Sequence, residues 1–595
     1  MPDALRTTAA ALLLAAAILA ATPRPAFALP KPRLVKNHFK TDAPVIASAV
    51  VEPGGGDMSS AIQTAIDKTA EAGGGVIFLP RGRYALERPL VVKGGVTLRG
   101  DRPLSSLQRH GTILMILSGR NQPDGPPAIT IERGAGIRDV TIWHPEQDPF
   151  HIVPYPWTLR TSTEATGDNF TVLNVTLVNP YQGFKTGPEF NELHYLRNIR
   201  ATPLKTGIWM DTTTDIGRII DVELDPRIWE QSGLEGAPVS RAARAALRDH
   251  LLREAVGVEM GRSDWEYIYG LRVTGCHTGL RIREGRHGGA NSVLFGCRFE
   301  DCAIALDLEK MNDIGLAAVG CAFYGREAGV LARPSFNETA QFHTCTFRGG
   351  PHAVRMNGPG FLSFQNCRFA SWTDCAVHAD SGSTSILDCG FARARNHVFL
   401  GQDIVRARVL GCWFNGRARI ANRSHQADVM IALQTPRFER PRSVRLDWSI
   451  PSPRPAKAAL FLATDYGAAP ENEDNTPAFR DALEAARASG GGVVYVAPGN
   501  YRCQGSIIVP SGVELRGCFD VPHHTMSGGS VLMPLAHRGQ PDAEPFIQLE
   551  TRSGLRGLTV WYPEQNVLDI AEYPWTIRSL GPECWLIDVT LGNAY

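Results

Sequence analysis

The fold is decided by residues 57–84, DMSSAIQTAIDKTAEAGGGVIFLPRGRY, which are typical of a short amphipathic helix, three glycines and a buried strand. Nearly the same pattern returns without a gap at residues 474–501, DNTPAFRDALEAARASGGGVVYVAPGNY, so that the two glycine triplets align. The motifs that follow also recur: TIWHPEQ at residues 141–147 returns as TVWYPEQ at residues 559–565. An internal repeat of this length predicts two domains of one architecture.

Length and composition place this chain among globular proteins with several domains. The chain has 595 residues, which is too long for a single hydrophobic core. Its net charge is +1 at pH 7 and charged residues make up 20%. A nucleic-acid-binding protein would show a strongly basic face, so the sequence predicts no nucleic-acid partner.

The first 28 residues predict a signal peptide. Arg6 precedes the apolar residues 9–21, and Ala26, Phe27 and Ala28 have the A-x-A form of a cleavage site. No later stretch is long and apolar enough to span a bilayer. We therefore expect a secreted or periplasmic protein that has no membrane contact after cleavage.

Half of the twelve cysteines occur in one recurring Cys-x-Phe tripeptide. These tripeptides follow one another every 22 to 24 residues and begin at Cys297, Cys321, Cys345, Cys367, Cys389 and Cys412. Period-two alternation places each cysteine and phenylalanine on one face of a strand. Stacked coils of this length would align them about 4.8 Å apart. The spacing predicts a buried ladder of free thiols, because parallel neighbours suit disulfide geometry poorly and metal-ligand spacing is absent.

The strand pattern divides the chain into four parts. Residues 1–28 are the signal peptide, and residues 31–435 are predicted to form a first parallel β-helix domain with a helical insert near residues 240–256. Residues 436–456 are rich in proline and arginine and predict a stiff linker. Residues 457–595 contain the start of a second parallel β-helix domain, which we expect to be incomplete because the first copy needs many more coils.

The second copy carries the motifs of a known superfamily. These are Asp-Tyr-Gly at residues 465–467, Asp-Asn-Thr at 474–476, GGGVVYVAPGNY at 490–501 and GVELRG at 512–517. They resemble the N-terminal signature of the pectate-lyase-like superfamily, including the rhamnogalacturonase and glycoside hydrolase family 28-related proteins. The resemblance implies an all-β fold of two tandem right-handed parallel β-helices, each with an N-terminal capping helix. The tandem arrangement also resembles glycoside hydrolase family 55.

This resemblance implies an exported carbohydrate-active enzyme whose partner is a polysaccharide. The sequence departs from the polygalacturonase pattern, because it has no Asp-Asp pair and no Gly-His-Gly motif, and residues 281–283 match Arg-Ile-Lys only in part. Hydrolysis of a glycosidic bond by a carboxylate pair is the first hypothesis. A polysaccharide lyase acting on uronates, the case in which calcium is expected, and a non-catalytic glycan-binding or adhesion protein stay open. Otherwise no cofactor or metal is predicted, and the oligomeric state stays undetermined.

Candidate catalytic carboxylates concentrate around the helical insert. If residues 264–266 form a strand, Asp264 and Glu266 share an outward face and Trp265 points inward. Glu192 and His194 share a face by the same alternation. Isolated acids are also common in solvated turns, so each one alone is weak support. The predicted catalytic residues are Asp264, Glu266, Asp211, Asp215 and Glu192.

Candidate sugar contacts are aromatic, because sugar rings stack on aromatic faces. One group lies near the insert, and the other lies in the repeated TIWHPEQ loop and the Tyr-Pro-Trp motif that follows it. Because both copies contain this loop, it could equally be a structural turn. The predicted substrate-binding residues are Trp143, Glu146, Tyr155, Trp157, Trp209, Trp229 and Arg262.

Overall fold

The computed structural model describes residues 31–102, 110–163, 168–187, 189–425, 428–432, 452–523 and 528–595. The predicted signal peptide and most of the predicted linker lie outside these residues. None of the described helices is long and apolar enough to cross a membrane.

The two predicted capping helices are present and have the same design. Helix α1 (Ser59–Glu71) buries Ile62 and Ile66 against the first coil. Its counterpart in the second copy is helix Thr476–Ala488, which buries Phe479 and Leu483. The glycine triplet that follows is required sterically: Gly74 has φ +115°, and a Cβ there would lie 2.6 Å from the carbonyl oxygen of Gly95.

The first domain is a parallel β-helix whose coils form three sheets, called sheets 1, 2 and 3 in chain order. Four long strands turn a corner and belong to two sheets: Arg298–Leu308, Ala322–Ala332, Cys375–Leu387 and Asn396–Leu410. The first two belong to sheets 2 and 3, and the last two to sheets 3 and 1. Sheet 1 further contains Ala49–Val50, Gly75–Leu79, Val96–Gly100, Gly136–Arg138, Thr171–Leu173, Tyr195–Arg197, Gly217–Ile220, Glu266–Tyr269, Ala290–Phe295, Met311–Val319, Thr339–His343, Phe361–Gln365 and Val429–Ala432.

Sheets 2 and 3 complete each coil with parallel strands in register. Sheet 2 contains Gly82–Leu86, Thr112–Ile116, Thr141–Trp143, Thr176–Leu177, Arg200–Ala201, Glu223–Leu224, Arg272–Thr274, Thr346–Arg348, Arg368–Ser371, Gly390–Phe391 and Trp413–Phe414. Sheet 3 contains Leu90–Val92, Ile129–Ile131, Trp157–Thr161, Gln182–Lys185, Thr206–Met210, Val256–Met260, Thr278–Ile282, His352–Met356 and Ile420–Asn422. The predicted fold class, a parallel β-helix, is confirmed.

The second copy repeats the three-sheet arrangement on a smaller scale. Its strands are Leu460–Leu462, Gly492–Tyr495, Val513–Arg516, Gly554–Arg556 and Trp585–Ile587 in one sheet; Gly499–Cys503, Ser530–Pro534, Thr559–Trp561 and Thr590–Gly592 in the next; and Ile507–Val509, Ile547–Leu549 and Ile577–Ser579 in the third. A 3-10 turn, Ala463–Tyr466, precedes its helix.

The cysteine ladder has the predicted form. All twelve cysteines are free thiols, and the six of the Cys-x-Phe series are buried. Burial raises the pKa of Cys345 well above its ordinary value, so its thiol stays protonated. The phenylalanines stack beside the thiols, for example Phe347 on Phe369 with ring centroids 5.2 Å apart. The core is therefore built from repeated layers.

A short hairpin and a buried ionic cluster join the two domains. Strands Arg33–Val35 and Val45–Ala47 pair antiparallel, and Ile46 packs on residues of the second domain. Beside them the fully buried Arg99 contacts Asp42 at 2.9 Å, Asp139 at 3.1 Å and Asp520 of the second domain at 2.6 Å. Arg138 contacts the same three carboxylates at 2.8, 3.0 and 3.5 Å.

The insert lies between sheet 2 and sheet 3. It consists of helix Arg227–Glu230 and helix Arg241–Glu254, whose N-cap Ser240 accepts a hydrogen bond from Ala243 N. Helix Arg241–Glu254 buries Leu247 and Leu251 against the coils. The loop between the helices reaches the first coils, where Glu235 pairs with Arg83 at 2.9 Å. The insert therefore walls one edge of sheet 3.

Candidate active site

A pocket of about 440 Å³ lies on the opposite edge of sheet 3, where successive coils turn towards sheet 1. Its walls come from turns at residues 211–216, 261–265 and 283–289 and from the start of strand Met311–Val319. Because these segments lie on consecutive coils, residues far apart in sequence meet there. The lining residues are Thr214, Asp215, Arg262, Asp264, Trp265, His287, Gly288, Gly289, Asn312, Asp313 and Ile314.

Three carboxylates, Asp215, Asp264 and Asp313, line this pocket. Thr213 and Ser263 form a parallel bridge, which places the turns of Asp215 and Asp264 side by side. Neighbouring coils are about 4.8 Å apart, so Asp215 lies one coil from Asp264, whereas Asp313 lies two coils, or about 10 Å, further on. Arg262 donates a hydrogen bond to Asp264 at 2.9 Å.

Two exposed aromatic rings flank the carboxylates. Trp265 is 45% exposed, and Phe190, on the turn two coils before it, is 50% exposed. Phe190 stacks on His287, with ring centroids 5.1 Å apart. Large exposed rings beside carboxylates form a surface on which a sugar ring can stack.

Trp265 corrects the sequence prediction that it points into the core. Its φ is +59°, a left-handed conformation, so the regular strand begins only at Glu266. The alternation of a strand therefore does not extend back to Asp264. As a result Asp264 and Glu266 do not share a face: Asp264 lines the pocket and Glu266 is fully buried.

Glu266 belongs to an interior polar cluster. Its two oxygens lie 3.0 Å from His194 Nε2 and 2.9 Å from Ser263 Oγ, which donates to it. Both His194 and Ser263 are fully buried as well. A substrate cannot contact Glu266 in this arrangement, so its predicted outward position is wrong and its contacts are those of a structural group.

Asp211 and Glu192 also differ from their predicted positions. Asp211 is 6% exposed and accepts hydrogen bonds from the backbone N–H groups of Thr212 and Arg262, so it holds two turns together behind the pocket. Glu192 is half-buried and does not line the pocket. It does not share a face with His194, because Leu193 between them has φ +59°.

The repeated TIWHPEQ loop is closed by the same two hydrogen bonds in both copies. In the first copy Gln147 and Val153 exchange two hydrogen bonds of 2.8 and 2.9 Å, and in the second copy Gln565 and Ala571 do the same at 2.7 and 3.0 Å. Tyr155 is fully buried and donates to Glu146 at 2.9 Å. These contacts favour a structural role for the loop over a sugar-binding role. Glu146 is the residue of the loop that is exposed.

The predicted aromatic contacts are mostly covered. Trp229 is fully buried in the core and Trp143 is 3% exposed, so neither presents a ring face to a ligand. Trp157 and Trp209 lie on sheet 3 with ring centroids 6.2 Å apart. Lys185 lies 4.4 Å from the Trp209 centroid, and burial followed by the charge of Arg160 lowers the pKa of Lys185.

Comparison with known proteins agrees with the fold. The family described as rhamnogalacturonase A/epimerase, pectate lyase-like, matches residues 50–130 and 461–523, the two capping regions. No curated protein matches the sequence significantly. The chain is therefore similar to this family at the start of both domains.

The solved structures that match the chain are distant, with low sequence identities and low TM-scores. The A-module of mannuronan C-5 epimerase AlgE6 from Azotobacter vinelandii is 13% identical, with a TM-score of 0.35, over 63% of this chain and 94% of that one. A GH87 α-1,3-glucanase from Streptomyces thermodiastaticus is 15% identical, with a TM-score of 0.29, over 55% of this chain and 62% of that one. Gene product 12 of bacteriophage phi29 is 9% identical, with a TM-score of 0.38, over 91% and 70%.

Sequence reasoning missed Asp313, His287 and Phe190. Asp313 and His287 lie on the two coils after Asp264, and Phe190 lies two coils before it. The cysteines reveal the coil repeat, and extending it to the turns would have aligned His287 and Asp313, whereas the helical insert interrupts the spacing before Phe190 is reached.

Proposed function

We propose that this protein is an exported carbohydrate-active enzyme that cleaves glycosidic bonds of a polysaccharide in the pocket at Asp264. The observation that carries the proposal is the convergence of three carboxylates with the exposed ring of Trp265 in one pocket, where Phe190 stacks on the lining residue His287. The similarity of both capping regions to rhamnogalacturonase A/epimerase, pectate lyase-like proteins supports a glycan substrate.

Glycoside hydrolysis needs one carboxyl group as acid and a second as base or nucleophile. Asp264 takes the second role in this proposal, because Arg262 holds its side chain at 2.9 Å and fixes its direction. Asp215, on the neighbouring coil of the same pocket, is the acid in this proposal. Trp265 and Phe190 hold sugar units on either side of the bond.

A lyase reaction is the second candidate, because His287 and Arg262 line the same pocket. In β-elimination a base removes a proton next to the uronate carboxylate, and a cation neutralises that carboxylate. His287 would act as the base and Arg262 as the cation. This route requires a uronate-containing polymer, whereas hydrolysis does not.

One assay separates these reactions. The full chain is incubated with neutral glucans, pectin, rhamnogalacturonan and alginate, and new reducing ends and the absorbance of unsaturated uronates are read together. Reducing ends without absorbance support hydrolysis, and both signals together identify the lyase. Retention on a polysaccharide with neither signal would contradict the enzyme proposal and indicate a glycan-binding protein.

The variants Asp264→Asn and Asp215→Asn test the assignment of the pocket. Each should lower turnover by at least about 100-fold, the lower limit for loss of a general acid or base. Asp249→Asn is the matched control, because Asp249 is exposed on the insert helix and does not line the pocket. If Asp264→Asn and Asp215→Asn turned over substrate as fast as wild type and the control, these carboxylates would be excluded from the reaction.

A further inference from the structure

A second cluster of chemically active side chains lies on sheet 3, at least two coils beyond the last residues that line the pocket. His352 begins strand His352–Met356, whereas Asp374 and His378 lie at the start of the strand of the next coil. One ligand atom from each of the three side chains lies within 4.8 Å of the other two. Within the described residues this is the one group of histidine, cysteine, aspartate or glutamate that meets this criterion.

His352 is a candidate metal ligand because one of its ring nitrogens is buried and makes no hydrogen bond with the described residues. It is 8% exposed, and its Nδ1 is buried without a hydrogen-bond partner among the described residues. Its Nε2 lies 3.9 Å from Asp374 Oδ2, and its ring centroid lies 4.7 Å from that of His378.

The surroundings of His378 orient its ring. Asp380 Oδ1 lies 3.0 Å from His378 Nε2, and Phe399 of the next coil stacks on the imidazole with ring centroids 4.4 Å apart. Histidine ligands of metal ions are commonly oriented by a carboxylate in this way. Asp374, by contrast, is 60% exposed at the side chain and leaves the site open to solvent.

The geometry points to a binding site for a divalent transition-metal ion of the zinc type, held by His352, Asp374 and His378. Two imidazole nitrogens and one carboxylate oxygen suit Zn²⁺ and do not suit Ca²⁺, which prefers oxygen ligands throughout. Bonds of about 2.1 Å in a tetrahedral site separate ligand atoms by about 3.4 Å. The three ligand atoms therefore need to close by up to about 1.4 Å, and solvent supplies the fourth ligand.

The metal would stabilise the folded domain, because it links two successive coils. Four to five coils separate it from Asp264, or about 19 to 24 Å at about 4.8 Å per coil, so it does not contact a bond held at Asp264. Zn²⁺ at 100 times its dissociation constant should raise the Tm of this domain by roughly 3 °C. This inference does not depend on the proposed reaction.

The test uses the untagged full chain after removal of metal by a chelator. Zn²⁺ is titrated by calorimetry, and the Tm is measured with and without Zn²⁺ and with Ca²⁺. The wild type should bind one equivalent of Zn²⁺ and show the rise in Tm, whereas Ca²⁺ should have no effect. Absence of Zn²⁺ binding by the wild type would overturn the inference.

Three variants and one control locate the site. Asp374→Asn and His378→Gln should each weaken Zn²⁺ binding by more than about 100-fold, and Asp380→Asn by about 10- to 100-fold. His343→Gln, at an exposed histidine on sheet 1, should bind like the wild type. The Tm of each metal-free variant reports its folding. Undiminished binding by both Asp374→Asn and His378→Gln would place the metal elsewhere and overturn the inference.

Discussion

Replacing Arg99 by methionine should destabilise the contact between the two domains. Arg99 is fully buried and touches three carboxylates, one of which, Asp520, belongs to the second domain. In Arg99→Met, Arg138 would still contact Asp42, Asp139 and Asp520. Methionine fills a similar volume, so the variant removes the charge more than the packing.

The expected loss is about 3–5 kcal/mol, the range found when one partner of a buried ion pair is removed. Burial alone would raise the pKa of Asp42, but the charges of Arg138 and Arg99 hold it well below its ordinary value. A lowered pKa stabilises the folded state above the ordinary carboxyl pKa of about 4 and ceases to do so as pH falls through the folded-state value. The difference between wild type and variant should therefore be largest at neutral pH and shrink in acid.

Urea unfolding at pH 7 and pH 4, followed by tryptophan fluorescence, measures this loss. Arg88→Met is the matched control, because Arg88 makes an exposed pair with Asp57 and its loss should cost less than about 1 kcal/mol. The double variant Arg99→Met/Asp520→Asn should recover part of the stability, since one uncompensated carboxylate is gone. A free energy of unfolding for Arg99→Met within about 1 kcal/mol of wild type would refute this account of the contact between the domains.

Three further predictions concern groups that are buried or partly buried. Burial raises the pKa of Asp588 to about 6, so the free energy of unfolding should fall as pH rises from about 4 to 6. In urea titrations, the free energy of unfolding of Asp588→Asn should exceed that of wild type by up to about 3 kcal/mol at pH 8, but not at pH 4. Of the twelve thiols, half-buried Cys584 should react with a thiol reagent in the native protein, and all twelve after denaturation; rapid native labelling of the buried eleven would contradict the ladder. Glu266→Ala should destabilise the fold by about 2–5 kcal/mol, because His194 and Ser263 lose their partner, and unchanged urea unfolding would contradict that role.

The fold was predictable because its signals repeat. The glycine triplet recurs in both copies for one steric reason: a Cβ on Gly74 would meet Gly95, and one on Gly491 would lie 2.8 Å from the carbonyl oxygen of Gly512. The cysteine ladder was predictable because equal spacing along a chain becomes vertical stacking in parallel coils. In both cases the local pattern and the overall topology require the same arrangement.

The site was only partly predictable, because turns interrupt strand alternation. Asp264, Asp215 and Arg262 do meet in one pocket, but Glu266 was assigned to the wrong face. Trp265, at φ +59°, reverses the side on which the next residue lies, and no pattern in the sequence marks this conformation at a tryptophan.

The metal-ligand cluster shows a second limit. His352 and His378 were not recognised as a pair, because their separation along the chain matches no local metal motif. It does correspond to about one coil of the β-helix, so they meet only once the coils are stacked.

The central claim, that the pocket at Asp264 carries the reaction, is tested most directly by kcat/KM of Asp264→Asn on the polysaccharide that the wild type degrades. The account predicts a loss of at least about 100-fold, with urea unfolding and glycan retention like those of wild type, and no loss in Asp249→Asn. A kcat/KM for Asp264→Asn within a few-fold of wild type would contradict it.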